Sequence, residues 1–478
     1  MNDNINENFR WLSMGLPEDI LRRKLCGDLE GAVRLIDRRL ADKKTPEALR
    51  RCLTAEREMI LRLPGDYPYT KEEALRKARE RIPDFTEEEF DERVDAGTIR
   101  WIYQNGEPRY FDRFFETLCK TEAGFADRAG VVMRGAESAG GDSPETRRLK
   151  ACIRQMKEEG AVRRRIRVRA SLRVKDEYFV PGMKVRAHLP IPADCAGQTD
   201  ILLEEVTPGA AVAPGDALQR TVCWEEELME NHAFVIQYSY LRTAGYQNLE
   251  AAGTAESAAR TDFSGRGESL TPSEWSSLTR EEAPHILFTP YIRELALELS
   301  KGADSPLEKA RRFYDYITLH MTYTYMPSYF SLENIAENCA RSFTGDCGVF
   351  ALLFLTLCRF VKIPACWQSG LITEPDFCGA HDWVRFYIEP LGWLYADPSY
   401  GLAAVRAGDE ERRRFYFGNI DPFRMTANQA FQAPFTVEKR HWRADPYDNQ
   451  VGELETAERG LRYEEFERSK EVLLCREE

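Results

Sequence analysis

Apolar side chains return every three or four positions along the first 133 residues. Leu21, Leu25, Leu29, Ala32, Val33 and Ile36 recur in this way with charges between them, the spacing of helices that bury one face. Thr86-Glu87-Glu88-Glu89 ahead of Phe90 has the form of a capping box opening a helix. Trp101, Tyr103, Tyr110, Phe111, Phe114 and Phe115 cluster beyond it and are expected in a core. These patterns predict a helical N-terminal domain over 1–133. A linker and helix over 134–160 follow, the linker marked by Gly, Ala and Ser between Arg134 and Thr146.

The period then changes. Ile166, Val168, Ala170 and Leu172 alternate with Arg167, Arg169, Ser171 and Arg173, and Val185, Ala187 and Leu189 alternate ahead of Pro190. Apolar runs at 201–203, 219–224 and 233–240 are divided by Pro and Gly. Short strands with such punctuation predict a β-sandwich-like domain over 161–250. The basic run Arg163–Arg169 reads as the solvent side of one strand. Residues 251–283, polar and rich in Ala, Ser and Gly, are expected as a linker or long loop.

Helical spacing resumes at Ile292, Leu295, Ala296 and Leu299 and again at Ala310, Phe313 and Ile317. Val349 to Cys358 is apolar on nearly every face, so this helix should be buried on all sides and stop near Pro364. His381–Ile388 and Trp393–Ala396 read as two strands around Pro390-Leu391-Gly392. The charged residues 441–478 are expected as a peripheral tail. The fold class is α+β.

Candidate chemistry sits at the head of the apolar helix, in Gly345-Asp346-Cys347-Gly348. A cysteine there faces unpaired backbone N–H groups and the positive end of the helix dipole, which favours the thiolate. Asp346 is placed to cap the helix, although its charge opposes a thiolate. His381 and Asp397 follow downstream, and Cys, His and Asp can form a nucleophile, its base and an orienting acid. Sixteen positions separate His381 from Asp397, an even offset that puts both on one sheet face. A hairpin centred on Leu391 pairs Asp397 with Arg385, however, leaving His381 four residues away, about 13 Å along the strand. A shifted register or bulge is required. The competing reading is an Arg385–Asp397 ion pair beside an ordinary core histidine.

Composition narrows the function classes. At 478 residues the chain exceeds one ordinary core. A net charge of -13 disfavours nucleic acid, and the longest apolar run is too short to span a membrane. The N-terminus has no basic and apolar leader, so twelve reduced cysteines in a cytoplasmic protein are expected. No CxxC pair occurs, and only Cys378 and His381 have tight ligand spacing, so no metal is expected. No phosphate loop or cofactor fingerprint appears, so no cofactor is expected.

Gly345-Asp346-Cys347-Gly348-Val349-Phe350-Ala351, then Ile363-Pro364-Ala365 and Ser369-Gly370, then His381-Asp382-Trp383-Val384 and Gly392-Trp393-Leu394-Tyr395-Ala396-Asp397-Pro398-Ser399 resemble the ordered motifs of the transglutaminase-like superfamily. The resemblance covers about 285–425. Lys362, Cys366, Asp382 and Arg385 stand where that family more often has Gly, Arg, Ala and Glu. It implies a papain-like core over 284–440, in a bacterial multidomain member. It implies that Cys347 attacks an amide carbonyl of a protein or peptide substrate, with His381 as base and then acid and Asp397 orienting the imidazole. The acyl-enzyme then goes to water, the favoured outcome, or to an amine. The Cys347 backbone N–H, with Tyr323, Tyr325 or Gln368, is a candidate oxyanion donor, and Trp383 a candidate groove residue. The alternative expectation is a non-catalytic protein-interaction scaffold with a vestigial transglutaminase-like domain.

Overall fold

The computed structural model describes residues 5–132, 142–249 and 269–478. Most of the linker expected near 134–146, and the stretch 251–268 of the second expected linker, lie outside the described residues.

The N-terminal region is built on helices Glu18–Leu25, Leu29–Ala41 and Glu47–Asp66, with shorter ones to Arg128. The Thr86 capping box forms: its side chain accepts from Glu89 N–H, and Glu89 answers to the Thr86 N–H. The Leu21–Ile36 pattern spans two helices, because Cys26 ends the first and Asp28 caps the second. Leu25 consequently lies at the surface. Trp101 and Tyr103 are also exposed, on a hairpin pairing Trp101–Gln104 with Glu107–Tyr110. Tyr110, Phe111, Phe114 and Phe115 are buried as expected.

The sandwich consists of two four-stranded sheets. One has the order Phe466–Glu477, Ala161–Val174, Phe234–Gly245, Gln198–Val206; the other has Glu453–Thr456, Met183–Pro190, Thr221–Leu228, Ala211–Val212. Ile166, Val168, Leu172, Trp224, Phe234 and Tyr238 fill the space between them. Arg165, Arg167 and Arg169 point outward to Asp200, Glu204 and Glu205, so the basic run is a neutralised strand face. Residues 441–478 are not a peripheral tail. Glu453–Thr456 pairs with Val185–His188, and Phe466–Glu477 pairs with Arg164–Val174. The charges of Phe466–Glu477 lie mostly on the outer face of an edge strand, whereas Glu453 and Glu455 are buried and paired with Lys439 and Arg186.

The third region centres on the helix Cys347–Phe360, in which every residue from Gly348 to Arg359 is buried. An antiparallel five-stranded sheet packs on it, in the order Phe417–Gly418, Gly392–Ala396, Phe377–Ile388, Ala365–Glu374, Arg424–Asn428. Helices Pro290–Ser300, Pro306–His320 and Ile335–Ser342 pack around the same helix. Phe9, Leu12, Ala55 and Met59 of the N-terminal region enter this same hydrophobic core. The first region is therefore fused to the third by burial rather than tethered to it. Among the described residues, no helix is long and apolar enough to cross a membrane.

Candidate active site

Three elements carry the predicted Cys, His and Asp. Asp346 caps it, its carboxylate accepting from the Val349 N–H at 3.2 Å, as its place before an apolar run predicts. Cys347, partly exposed, is the first helical residue. His381 lies in the strand Phe377–Ile388. Asp397 follows the strand Gly392–Ala396 and caps the next helix, Pro398–Arg406, accepting from the Tyr400 N–H at 3.0 Å.

The hairpin register settles the geometric difficulty. Val384 pairs with Ala396, Arg385 with Tyr395 and Ile388 with Gly392. This is a shift of two residues from the pairing centred on Leu391, and it carries Asp397 toward Trp383 and His381. His381 Nε2 then meets Asp397 Oδ2 at 2.7 Å. The expected Arg385–Asp397 pairing does not form; Arg385 lies over the Trp393 and Tyr395 rings instead.

Sequence reasoning missed the partner that Asp397 does have. Arg424, fully buried, places Nη1 3.0 Å from Asp397 Oδ2 and donates to Asp421 through Nη2 and Nε. A lone arginine in the apolar stretch Phe423–Ala427 was the available signal. Burial pushes the Asp397 carboxyl up, but His381 and then Arg424 outweigh it and hold it at about 2. Asp397 is therefore a fixed anion at neutral pH. Burial lowers the His381 imidazole below its ordinary value, with Asp397 opposing.

The thiol does not match the expectation from helix position alone. Its pKa is raised well above that of a free cysteine, first by burial and then by the charges of Asp382 and Asp346. Sγ donates to Asp382 Oδ2 at 3.2 Å. Among the described residues no hydrogen bond joins Sγ to the imidazole. Helix-end stabilisation of a thiolate amounts to roughly 0.3–1 kcal/mol, too little to offset burial of the sulfur beside the Asp382 and Asp346 carboxyls.

The remaining predicted residues are dispersed. Tyr323 packs against Phe350 of the buried helix, and its phenol is raised by burial and by the Cys347 and Asp346 charges. Tyr325 lies under the Arg113 guanidinium, 3.6 Å from the ring centre, on the side of the N-terminal region. Gln368 and Trp383 are buried against each other, Trp383 Nε1 donating to Gln368 Oε1 at 2.9 Å. Trp383 stacks near the His381 ring, centroids 6.2 Å apart. Tyr329, not anticipated, donates to Asp346 beside Gly348.

A cysteine at a helix head and, on the sheet that packs on that helix, a strand histidine held by a buried aspartate are the parts of a papain-like cysteine enzyme, although among the described residues the sulfur bonds Asp382 rather than the histidine. Residues 293–398 match the family model of the transglutaminase-like superfamily. Uncharacterized protein YebA of Bacillus subtilis (strain 168) is 25% identical over 130 residues, 23% of this chain and 18% of that protein. The chain thus spans less than a fifth of that curated relative. A proposed cysteine protease from Cytophaga hutchinsonii is similar with a TM-score of 0.41 and 15% identity, covering 66% of this chain and 91% of that one. The periplasmic domain of TgpA from Pseudomonas aeruginosa is similar with a TM-score of 0.28 and 13% identity, covering 55% and 95%.

Proposed function

We propose that the protein is a transglutaminase-like cysteine enzyme acting at amide bonds of a protein or peptide through an acyl-enzyme on Cys347. The observation that carries this reading is the 2.7 Å contact of His381 Nε2 with Asp397. It leaves Nδ1 as the free imidazole nitrogen and fixes the ring against a permanent anion. His381 takes the thiol proton through Nδ1 and returns it to the leaving amine, while Asp397 stabilises the imidazolium between these steps. The Cys347 backbone N–H, in the first helical turn and without a helical carbonyl to bond, is the first oxyanion donor.

Hydrolysis is the favoured outcome. Water needs no site of its own, whereas transfer needs a second groove to hold an amine in line with the acyl carbon. A cytoplasmic setting fits this reading, since all twelve cysteines are unpaired, as in a reducing compartment.

The test is a product assay on glutamine-containing peptides, with and without an added primary amine. Released ammonia or cleaved peptide that is unchanged by the amine supports hydrolysis. Preferential incorporation of the amine overturns that part of the proposal, and no turnover across a broad peptide pool argues for the scaffold.

A further inference from the structure

Asp382 stands where the family more often has alanine, and it is the group that holds the sulfur. Sγ donates to its Oδ2 at 3.2 Å. The carboxyl is itself gripped from the segment 429–452, which joins the strands Arg424–Asn428 and Glu453–Thr456. Gln450 Nε2 donates to Asp382 Oδ1 and, at 3.2 Å, to the His381 carbonyl. Asp448, which accepts from Ser369 Oγ and from Trp367 Nε1 at 3.2 Å, faces Asp382. Gly348 provides the room. A Cβ there would lie 2.9 Å from Asp382 Oδ2 and 2.4 Å from the Tyr329 hydroxyl, so the carboxyl reaches the helix head only because the residue after the cysteine has no side chain.

We propose that Asp382 is a positioning residue that parks the Cys347 thiol in the resting chain, so that the nucleophile is armed only when Sγ leaves Asp382 for His381. The inference rests on the acyl-enzyme reading. In the armed state the S–H bond breaks, its proton passes to Nδ1 of His381, and thiolate and imidazolium form together with no net gain or loss of a proton. Other groups face the sulfur. Asp346 lies at the helix cap, Tyr323 and Tyr329 lie in the segment before it, and Asp397 acts more weakly. Asp448 and Asp445 act on Asp382, and Arg100 acts on Asp346. Asp382 is the one that bonds the sulfur, so its removal should release the thiol most.

The test is the rate of iodoacetamide alkylation at Cys347 between pH 5 and 10, read by peptide mass mapping. The exposed Cys26 and the buried Cys358 serve as references. In the wild-type chain the rate should rise only above the pH of an ordinary thiol. Asp382→Ala should move that rise down by a unit or more and speed labelling at pH 7 about tenfold. Asp382→Asn, which keeps an oxygen that can accept from Sγ, should move it by less than the alanine variant, and so should Gln450→Ala. Cys26 and Cys358 should not change; if Cys358 accelerates equally, the variant has unfolded, and the asparagine and Gln450 variants decide. An unchanged Cys347 profile in the folded variants would overturn the proposal. Failure of the acyl-enzyme reading shows separately, as acylation of Cys347 that His381→Ala does not slow.

Discussion

Arg424→Met removes one cation that serves two buried carboxylates. Nη1 lies 3.0 Å from Asp397, and Nη2 and Nε donate to Asp421 at 2.7 and 3.1 Å. Arg424 and Asp397 have no solvent exposure. Breaking a buried pair by deleting one partner costs about 3–5 kcal/mol, because the other charge is stranded. A second route gives a similar scale. Asp397 titrates at about 2 instead of 3.8, because His381 and Arg424 overcome the effect of burial. That gap is worth about 2–3 kcal/mol. The carboxyl is lowered in the folded state, so this stability is present above the unfolded value near pH 4. It is lost as the pH falls through about 2. The variant should lose about 3 kcal/mol at pH 7 and should lose less than the wild type on going from pH 4 to 2.5. Urea unfolding followed by tryptophan fluorescence at the three pH values measures both. A loss below about 1 kcal/mol at pH 7, the range of an exposed pair, would refute the reasoning, as would an unaltered acid limb.

Other consequences can be measured alongside. Asp397→Asn should leave the fold intact but reduce turnover by about 10²–10⁴-fold, in line with loss of the group that orients a general base; a loss under tenfold in kcat would count against its role. Burial raises the carboxyls of Asp346 and Asp112 to about 6, and Asp382 further. Their stabilising protonation is complete below pH 4 and lost as the pH rises through 6 and beyond, so the urea midpoint should be higher at pH 5 than at pH 8; the opposite order would contradict this. Truncation after Glu465 removes a twelve-residue strand, Phe466–Glu477, paired along Ala161–Val174, and should lower Tm by several degrees; an unchanged Tm would restore the peripheral-tail reading. Leu353→Ala, in the fully buried helix, should cost about 2–5 kcal/mol by denaturant titration, and a loss below about 1 kcal/mol would count against its packing.

Parts of this architecture were legible for local reasons. The run Val349–Cys358 has no polar face, so it could only be a central helix, and Asp346 just before Cys347 is a cap by position. The strand alternation at Ile166–Leu172 and at Val384–Ile388 depends only on the period of two. The hairpin register was not legible, because it is set where the two strands turn between Ile388 and Gly392, and a two-residue difference there decides whether Asp397 faces Arg385 or His381. Arg424 lies 27 residues beyond its partner, and Gln450 lies in an irregular segment without periodic pattern; neither leaves a local signal of what it touches. The edge strand Phe466–Glu477 looked like a tail because only one of its faces is apolar. The state of the thiol was misjudged because the helix end is a local feature, whereas Asp382 arrives from a strand 35 residues away.

The proposed function requires that Cys347 become acylated with the help of His381 and Asp397. The direct measurement is incubation with p-nitrophenyl acetate, with the acylated residue located by peptide mass mapping in the wild type, His381→Ala and Asp397→Asn. Acetyl is expected on Cys347 in the wild type, forming at least a hundredfold slower in both variants. Acetylation spread over the exposed cysteines, or acetylation of Cys347 indifferent to both substitutions, would contradict it.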